Sequence, residues 1–215
     1  MANEVEIGRG KRGRRAYTLD DIALVSARRT RDPADVNVGW QIDAYHVDVP
    51  IMAAPMDSVM SPDTAILFGK LGGIGVLDLD GLWTRYENPQ PILDEIAQLP
   101  ADGSIARLQQ IYSAPIQEDL ITERLEYIRK AGVVVAGKLS PQRTQRYWRA
   151  VVEAGVDLFV IRGTTVSAEH VSSRAEPLNL KRFIYELDVP VIVGGVSTDT
   201  AEIGRASCRE RVLRL

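Results

Sequence analysis

The stretch Val49-Pro50-Ile51-Met52-Ala53-Ala54-Pro55-Met56 decides the fold of this chain. It is a short apolar run without polar alternation, which is typical of a strand buried on both faces of a parallel sheet. A helix is expected next, because Ser61 supplies a cap residue, Pro62 stands in the first turn, and apolar residues recur at helical spacing as far as Gly72-Gly73. The apolar run Ile74-Gly75-Val76-Leu77 then predicts a second strand.

The same strand and helix unit recurs along the chain. Further strands are predicted at 133–136, 156–161 and 189–193, with one helix starting at Ser140-Pro141 and another containing Leu180 to Leu187. Strands that alternate with helices form a parallel sheet, because a crossover helix must connect each strand to the next parallel one. The fold class is therefore α/β. Small or polar residues follow the strands, and no G-x-G-x-x-G follows the first strand, which favours a (β/α)8 TIM barrel over a doubly wound sheet. About five β/α units are visible, so the barrel is expected to be truncated.

Composition limits the classes of function. The chain has 215 residues, of which 45% are hydrophobic, and a net charge of −3, which argues against nucleic acid and membrane surfaces as partners and favours a small molecule. One cysteine and two histidines leave no disulfide framework and no metal cluster. The N-terminus lacks the pattern of a signal peptide, so a cytoplasmic location is expected. The basic run in residues 1–16 is interpreted as a solvated arm.

The segment from Glu202 to Leu215 departs from this pattern. A helix with apolar periodicity should follow Ser197-Thr198, but Gly204 and scattered arginines come instead. The segment resembles one reading frame through a common sequencing-library adapter, so residues 202–215 are interpreted as a non-native tail and residues 17–201 as a partial barrel domain. The alternative is a genuine arginine-rich C-terminal helix.

Three segments carry a family resemblance. Tyr17 to Val25 is similar to the motif T-x-D-D-V-x-L-V, Val49 to Val59 is similar to I-P-x-x-S-x-x-M-D-x-V, and Leu71 to Gly75 continues the match. Together they resemble the IMP dehydrogenase and GMP reductase family, NAD(P)-dependent barrel enzymes that act on purine nucleotides. The interval from Val76 to Ala131 is too short for a CBS module, so the chain looks most like the CBS-less branch of IMP dehydrogenase-related proteins. The resemblance also implies a homotetramer of the whole protein.

The resemblance implies a substrate site at the end of the first strand. Ala54 and Met56 fall where family members hold the purine nucleotide, IMP or GMP, and Ala54 replaces a serine that would hydrogen-bond it. Met56 offers the base an apolar surface, although a methionine at a strand end is also common in a core. Asp57 either accepts from the ribose or holds the loop.

A cofactor site is implied at the ends of two later strands, by Arg162, Gly163 and Thr164 and by Gly194 and Gly195. Arg162 stands where family dehydrogenases place an aspartate that meets the nicotinamide ribose. The resemblance implies NAD as the cofactor. Because an arginine suits phosphate better than a diol, Arg162 favours NADP as the alternative. An ion pair with a nearby carboxylate is the alternative role of Arg162. Gly195 replaces an asparagine of the family motif.

The family's chemistry is hydride transfer through a covalent cysteine adduct, with a potassium ion in the cysteine loop after the sixth strand. Cys208 comes directly after the fifth strand and is rejected as the nucleophile, so no catalytic residue is assigned and this segment is expected to be inactive. The leading hypothesis is that the whole protein oxidises IMP to XMP with NAD. The alternatives are a GMP reductase that uses NADPH and a non-catalytic relative that binds purine nucleotides.

Overall fold

The computed structural model describes residues 4–14, 17, 19–25, 29–100, 103–163, 179–195 and 212–214. The chain divides into two compact units, Met1–Asn37 and Val38–Leu215. The division falls within the segment predicted to be the barrel domain, which begins at residue 17.

The first unit contains an antiparallel hairpin of β1 (Glu4–Gly8) and β2 (Lys11–Arg14), followed by 3₁₀ turns at Leu19–Asp21 and Pro33–Asp35. Glu4 faces Arg14 across the hairpin, and the Arg12 guanidinium lies 3.3 Å from the Glu4 carboxylate. The basic run expected as an arm therefore lies in a hairpin. β1 is exposed along its whole length, which agrees with a solvated segment.

The second unit is built on a parallel sheet. Its strands are β5 (Met52–Ala53), β6 (Ile74–Asp78), β7 (Ala136–Leu139), β8 (Leu158–Arg162), β9 (Val191–Gly194) and β10 (Val212–Arg214), and they lie side by side in chain order. The helices are α1 (Pro62–Lys70), α2 (Gln90–Gln98), α3 (Ser104–Ile111), α4 (Glu118–Lys130), α5 (Pro141–Glu153) and α6 (Leu180–Glu186). Sequential parallel order is the order of a (β/α) barrel, so the α/β class and the barrel architecture predicted from the sequence are confirmed.

The helix predicted after the first strand begins where expected. Ser61 caps α1, because its Oγ accepts from the backbone N of Thr64 at 3.0 Å, and Pro62 occupies the first turn. The helix gives way to a left-handed Gly72, with φ of 89°. Strand β5 is shorter than the predicted run, since the prolines Pro50 and Pro55 lack the N–H that a ladder requires.

The third predicted strand was placed wrongly. The valines at 133–135 precede β7, which covers Ala136–Leu139 and includes Gly137 and Lys138. The glycine is required by packing, because a Cβ there would lie 2.7 Å from Leu79 Cδ1. The lysine is tolerated in the ladder because two aspartates face it, as described below. Neither reason is visible in the local sequence pattern.

The sheet separates two apolar clusters. Leu77, Leu139, Phe159 and Ile161 belong to the cluster that packs against the helices. The strand residues at the alternate positions belong to the second cluster. This cluster also includes residues of an antiparallel hairpin formed by β3 (Trp40–Ile42) and β4 (Tyr45–Val47). Its buried members are Ile42, Val47, Ile74, Val76, Ala136, Leu158, Val160 and Ile192. The face opposite the helices is therefore the barrel interior, and each strand alternates between the two sides.

Residues 212–214 form a strand that pairs in parallel with β9, with Val212 opposite Val191. Residues 196–211, including Cys208, lie outside the described part of the chain. The interpretation of 202–215 as a non-native tail stays a prediction.

Within the described ranges, the structure contains no helix that is long and apolar enough to cross a membrane. The longest helices there, α4 and α5, have 13 residues each and lie against the sheet as crossovers.

Candidate functional site

The carboxyl ends of the parallel strands meet at one edge of the sheet, the edge where barrel enzymes build their sites. Alternation along each strand puts Asp78, Lys138, Arg162 and Gly194 on the same side as the barrel-interior cluster. The register agrees, because Asp78 lies opposite Lys138 and Arg162 lies opposite Gly194. Lys138 lies opposite Val160, so Arg162 and Gly194 stand two residues further along their strands than Asp78 and Lys138. Four strands thus place two adjacent pairs of residues at the mouth of the barrel interior.

Asp78, Asp80 and Lys138 form a charged group at this edge, here named the strand-end cluster. The Lys138 Nζ lies 3.0 Å from Asp78 Oδ1, 3.2 Å from Asp78 Oδ2 and 3.2 Å from Asp80 Oδ2. Asp80 Oδ2 also accepts from the backbone N of Ser140 at 2.6 Å, at the start of α5. The three side chains are 14 to 16% exposed, so the cluster is largely buried but still reaches the mouth.

Burial and charge act against each other in this cluster. Burial is the main cause that raises the pKa of Asp78 to about 6, although Lys138 lowers it. Burial would lower the pKa of Lys138, but Asp78 and Asp80 outweigh it, so the pKa of Lys138 is raised. The lysine therefore stays an ammonium near neutral pH, while Asp78 can take up a proton at mildly acidic pH.

The residues predicted to bind substrate follow β5 at the same edge. Ala54 is exposed, and its carbonyl accepts from the backbone N of Met56 at 2.9 Å. Met56 is 44% exposed, so it is not a core residue and its side chain is available to a ligand. Contact of either residue with a nucleotide stays a prediction.

Asp57 holds the loop that follows β6. Both of its carboxylate oxygens lie 3.0 Å from the backbone N of Leu82, and Oδ2 accepts from the Tyr112 hydroxyl at 2.7 Å. Burial raises the pKa of Asp57, with the hydrogen bonds from Tyr112 and Leu82 opposing it. Of the two roles considered for this aspartate, the structure contains the contacts of the loop-holding one. Contact with a ribose stays a prediction.

The residues predicted to bind cofactor lie at the ends of β8 and β9. Arg162 is exposed, and among the described residues no carboxylate pairs with it. Gly163 is half-buried and Gly194 is buried, while Gly195 has φ of 84°, a conformation that favours glycine. Thr164 lies outside the described residues. A guanidinium without a carboxylate partner fits a phosphate better than a ribose diol, and contact of these residues with a cofactor stays a prediction.

Sequence reasoning missed the strand-end cluster and Tyr112. One signal was present for the cluster, since Asp78 and Lys138 are charged residues inside otherwise apolar strand patterns. A charge at such a position requires a partner, and the end of a barrel strand is where a functional charge is expected. Tyr112 gave no such signal, because it reaches Asp57 across 55 residues of chain.

Comparison with known proteins decides the family. Residues 16–206 match the model of the IMP dehydrogenase / GMP reductase domain. The chain belongs to the IMP dehydrogenase/GMP reductase family. This family of oxidoreductases is the one indicated by the motifs at Tyr17–Val25 and Val49–Val59, so the resemblance drawn from the sequence is confirmed.

Relatives and solved structures extend this assignment. The chain is 46% identical over 197 residues to an uncharacterized oxidoreductase of Mycolicibacterium smegmatis, an alignment that covers 89% of this chain and 52% of the relative. It is 36% identical over 64 residues to the inosine-5'-monophosphate dehydrogenase of Methanocaldococcus jannaschii, covering 30% of this chain and 13% of that protein. A crystal structure of an IMP dehydrogenase/GMP reductase-like protein from Corynebacterium glutamicum superimposes with a TM-score of 0.86 at 42% identity, covering 95% of this chain and 55% of that chain. The chain spans about half the length of the Mycolicibacterium smegmatis and Corynebacterium glutamicum proteins.

Proposed function

We propose that the whole protein carrying this segment is a purine nucleotide oxidoreductase with a nicotinamide cofactor, and that its reaction is the oxidation of IMP to XMP with NAD. The observation that carries the proposal is the set of charged residues, Asp78, Lys138 and Arg162, at the strand ends of the barrel mouth in a chain of the IMP dehydrogenase/GMP reductase family. The partial similarity to an inosine-5'-monophosphate dehydrogenase supports the choice of IMP.

The geometry supports a nucleotide at the end of β5. Ala54 and Met56 leave exposed backbone and an apolar side chain at the mouth, which suits a flat base. Asp57 is committed to Leu82 and Tyr112, so its contribution is to hold the neighbouring loop in place rather than to be free for the ligand. The nicotinamide cofactor, when bound, accepts or donates the hydride.

One observation favours a second function. Arg162 is exposed without a carboxylate partner among the described residues, and a guanidinium there suits the additional phosphate of NADP. A reductase that consumes NADPH with GMP is therefore the second candidate. A relative that binds purine nucleotides without turnover is the third, supported by Ala54 and Gly195 in place of hydrogen-bonding side chains.

The test is an absorbance assay of the purified whole protein with IMP and NAD, and in parallel with GMP and NADPH. Formation of NADH with IMP supports the dehydrogenase, and consumption of NADPH with GMP supports the reductase. Nucleotide binding by calorimetry without either turnover supports the non-catalytic relative. If the protein neither binds purine nucleotides nor turns them over, the proposed function is wrong.

The 215-residue chain itself is the matched control. Its described part contains a parallel sheet of six strands, and we expect it to show no turnover under conditions in which the whole protein is active. Turnover by this segment alone would contradict the prediction that the catalytic loop lies elsewhere.

A further inference from the structure

We infer that Lys138 is a specificity-determining residue of the site, whose ammonium group donates a hydrogen bond to a carbonyl oxygen of a bound ligand. This inference rests on the proposed function, which supplies two sources of such an oxygen, the purine ring and the nicotinamide carboxamide. Neither the motifs of the sequence nor the site residues predicted from them include Lys138.

The position of Lys138 is the first argument. It lies on β7, between β6, whose Asp78 lies opposite it, and β8, whose Arg162 lies two residues beyond Val160, the residue opposite Lys138. The predicted substrate residues follow β5 and the predicted cofactor residues follow β8 and β9, so β7 lies between the two sets. A donor in this position can reach a ligand that spans them.

The donor count of Lys138 is the second argument. An ammonium group has three N–H donors. Within the described residues, three acceptor oxygens lie near its Nζ: both oxygens of Asp78, at 3.0 and 3.2 Å, and one of Asp80, at 3.2 Å. The two Asp78 oxygens belong to one carboxylate and are too close together for two separate N–H groups, so they share one donor. Asp80 takes the second donor, which leaves the third for a ligand. The side chain of Lys138 is 14% exposed, so it is reachable from the mouth.

Charge determines which ligand atom fits. The cluster combines one ammonium with two carboxylates, and both carboxylates lie within 3.2 Å of the Nζ. A phosphate brought to this donor would be repelled by Asp78 and Asp80, whereas a neutral carbonyl oxygen would not. Arg162, which has no carboxylate partner among the described residues, is the better phosphate group. The two cations therefore divide between a carbonyl and a phosphate.

Rigidity makes Lys138 selective. Free lysine side chains are flexible, but Asp78 and Asp80 hold this one from two sides, and Ser140 N in turn anchors the Asp80 carboxylate at 2.6 Å. A donor fixed before binding discriminates between a carbonyl acceptor and an amino group that offers only hydrogens. The expected preference is for ligands with a ring carbonyl or carboxamide.

The experiment compares Lys138→Met with wild type in the whole protein, by calorimetric binding of IMP, GMP and AMP and by the KM of each nicotinamide cofactor. Loss of a charge-assisted hydrogen bond weakens binding of the contacted ligand by about tenfold or more. If the dissociation constants of IMP and GMP increase while that of AMP is unchanged, the contacted group is the purine carbonyl. If only the KM of the cofactor increases, the contacted group is the nicotinamide carboxamide. Lys138→Arg, which keeps a donor, is expected to recover part of the affinity.

Lys130→Met is the matched control, because Lys130 is 79% exposed at the end of α4 and belongs to no part of the site. It is expected to leave all affinities unchanged. Since Lys138→Met leaves two carboxylates facing each other, Lys138→Met with Asp78→Asn is the second variant, which removes one of them and keeps the volume of the cluster.

Two results separate the inference from the function on which it rests. If wild type binds nucleotide and cofactor but a folded Lys138 variant binds both within twofold of wild type, the inference is wrong and the proposed function stands. If wild type binds neither ligand, both are wrong together. A folded variant that weakens every nucleotide equally, AMP included, also overturns the carbonyl contact.

Discussion

Asp78 and Lys138 lie opposite each other near the carboxyl ends of neighbouring parallel strands, and the lysine Nζ lies 3.0 Å from Asp78 Oδ1. The pair lies on the barrel-interior side of the sheet, above the apolar layer formed by Val76 and Ala136. Burying a charged side chain at the end of the barrel interior costs desolvation free energy, and here the opposite charge on the neighbouring strand compensates for it. The pair therefore marks the point at which the packed barrel interior becomes a polar site.

The first prediction concerns the pH dependence of stability. Burial raises the pKa of Asp78 to about 6 in the folded protein, above its ordinary value of 3.8. The folded state therefore binds the proton more tightly than the unfolded state, so this group contributes stability at low pH that is lost as pH rises from about 4 to 6. Asp78→Asn removes this titration. We expect the free energy of unfolding of the variant, relative to wild type, to increase across that window.

Urea unfolding at several pH values between 4 and 7 measures this difference, which amounts to about 1.4 kcal/mol for each pH unit that separates the two pKa values. Asp35→Asn is the control, because Asp35 is exposed in the first unit. A constant difference between Asp78→Asn and wild type over the whole range would contradict the prediction.

The second prediction tests how Asp57 holds its loop. A Cβ at Gly81 would lie 2.3 Å from Asp57 Oδ1, although the backbone of Gly81, with φ of −83°, accepts any residue. Gly81→Ala must therefore displace the Asp57 carboxylate and weaken its bonds to Leu82 N and Tyr112. We expect a loss of about 1–3 kcal/mol in the free energy of unfolding.

A double-mutant cycle with Asp57→Ala provides the control, because the clash does not exist without the carboxylate. Gly81→Ala is expected to cost clearly less in the Asp57→Ala background than in wild type. If the two costs are additive, Asp57 and Gly81 do not interact and the loop is held in another way.

The extent of sequence-based prediction differs between helices, strands and the site. The start of α1 followed from Ser61 and Pro62, because capping is a local interaction within three residues. The extent of β7 did not follow, since Gly137 and Lys138 interrupt an apolar run and their partners, Leu79 and Asp78, are about 60 residues away in the chain. The strand-end cluster depends on the same register and was missed for the same reason. Arg162 was predicted as a site residue because the family resemblance fixes its position, and its role stays a prediction.

The third prediction concerns the link between β4 and β8. The Tyr45 hydroxyl donates to Asp157 Oδ1 at 2.9 Å, and Asp157 Oδ2 accepts from Val135 N at 2.8 Å. Burial and the bond to Asp157 raise the pKa of Tyr45 to about 12, in agreement with a neutral hydroxyl that donates to the carboxylate. Tyr45→Phe is expected to lower the free energy of unfolding by about 1 kcal/mol.

Tyr127→Phe is the matched control for this change. Its hydroxyl makes the same kind of bond, to Asp63 at 2.7 Å, but Tyr127 is 49% exposed and water can replace the partner. We expect its cost in thermal unfolding to be near zero. Equal costs for the two variants would show that burial does not strengthen the Tyr45 bond.

The fourth prediction concerns cofactor choice and rests on Arg162. Its guanidinium is exposed at the end of β8, opposite the buried Gly194 of β9, and has no carboxylate partner among the described residues. In the whole protein, Arg162→Asp replaces the group that we propose to bind the phosphate of NADP by an acceptor for a ribose diol. We expect the ratio of kcat/KM for NADP(H) to that for NAD(H) to fall by about tenfold or more, because one charge-assisted hydrogen bond is lost and a repulsion is introduced.

Lys130→Asp, the same charge reversal on an exposed lysine of α4, is expected to leave the ratio unchanged. If Arg162→Asp reduces activity with both cofactors by the same factor, Arg162 does not select the cofactor, and the observation that favours the NADPH-dependent reductase is removed.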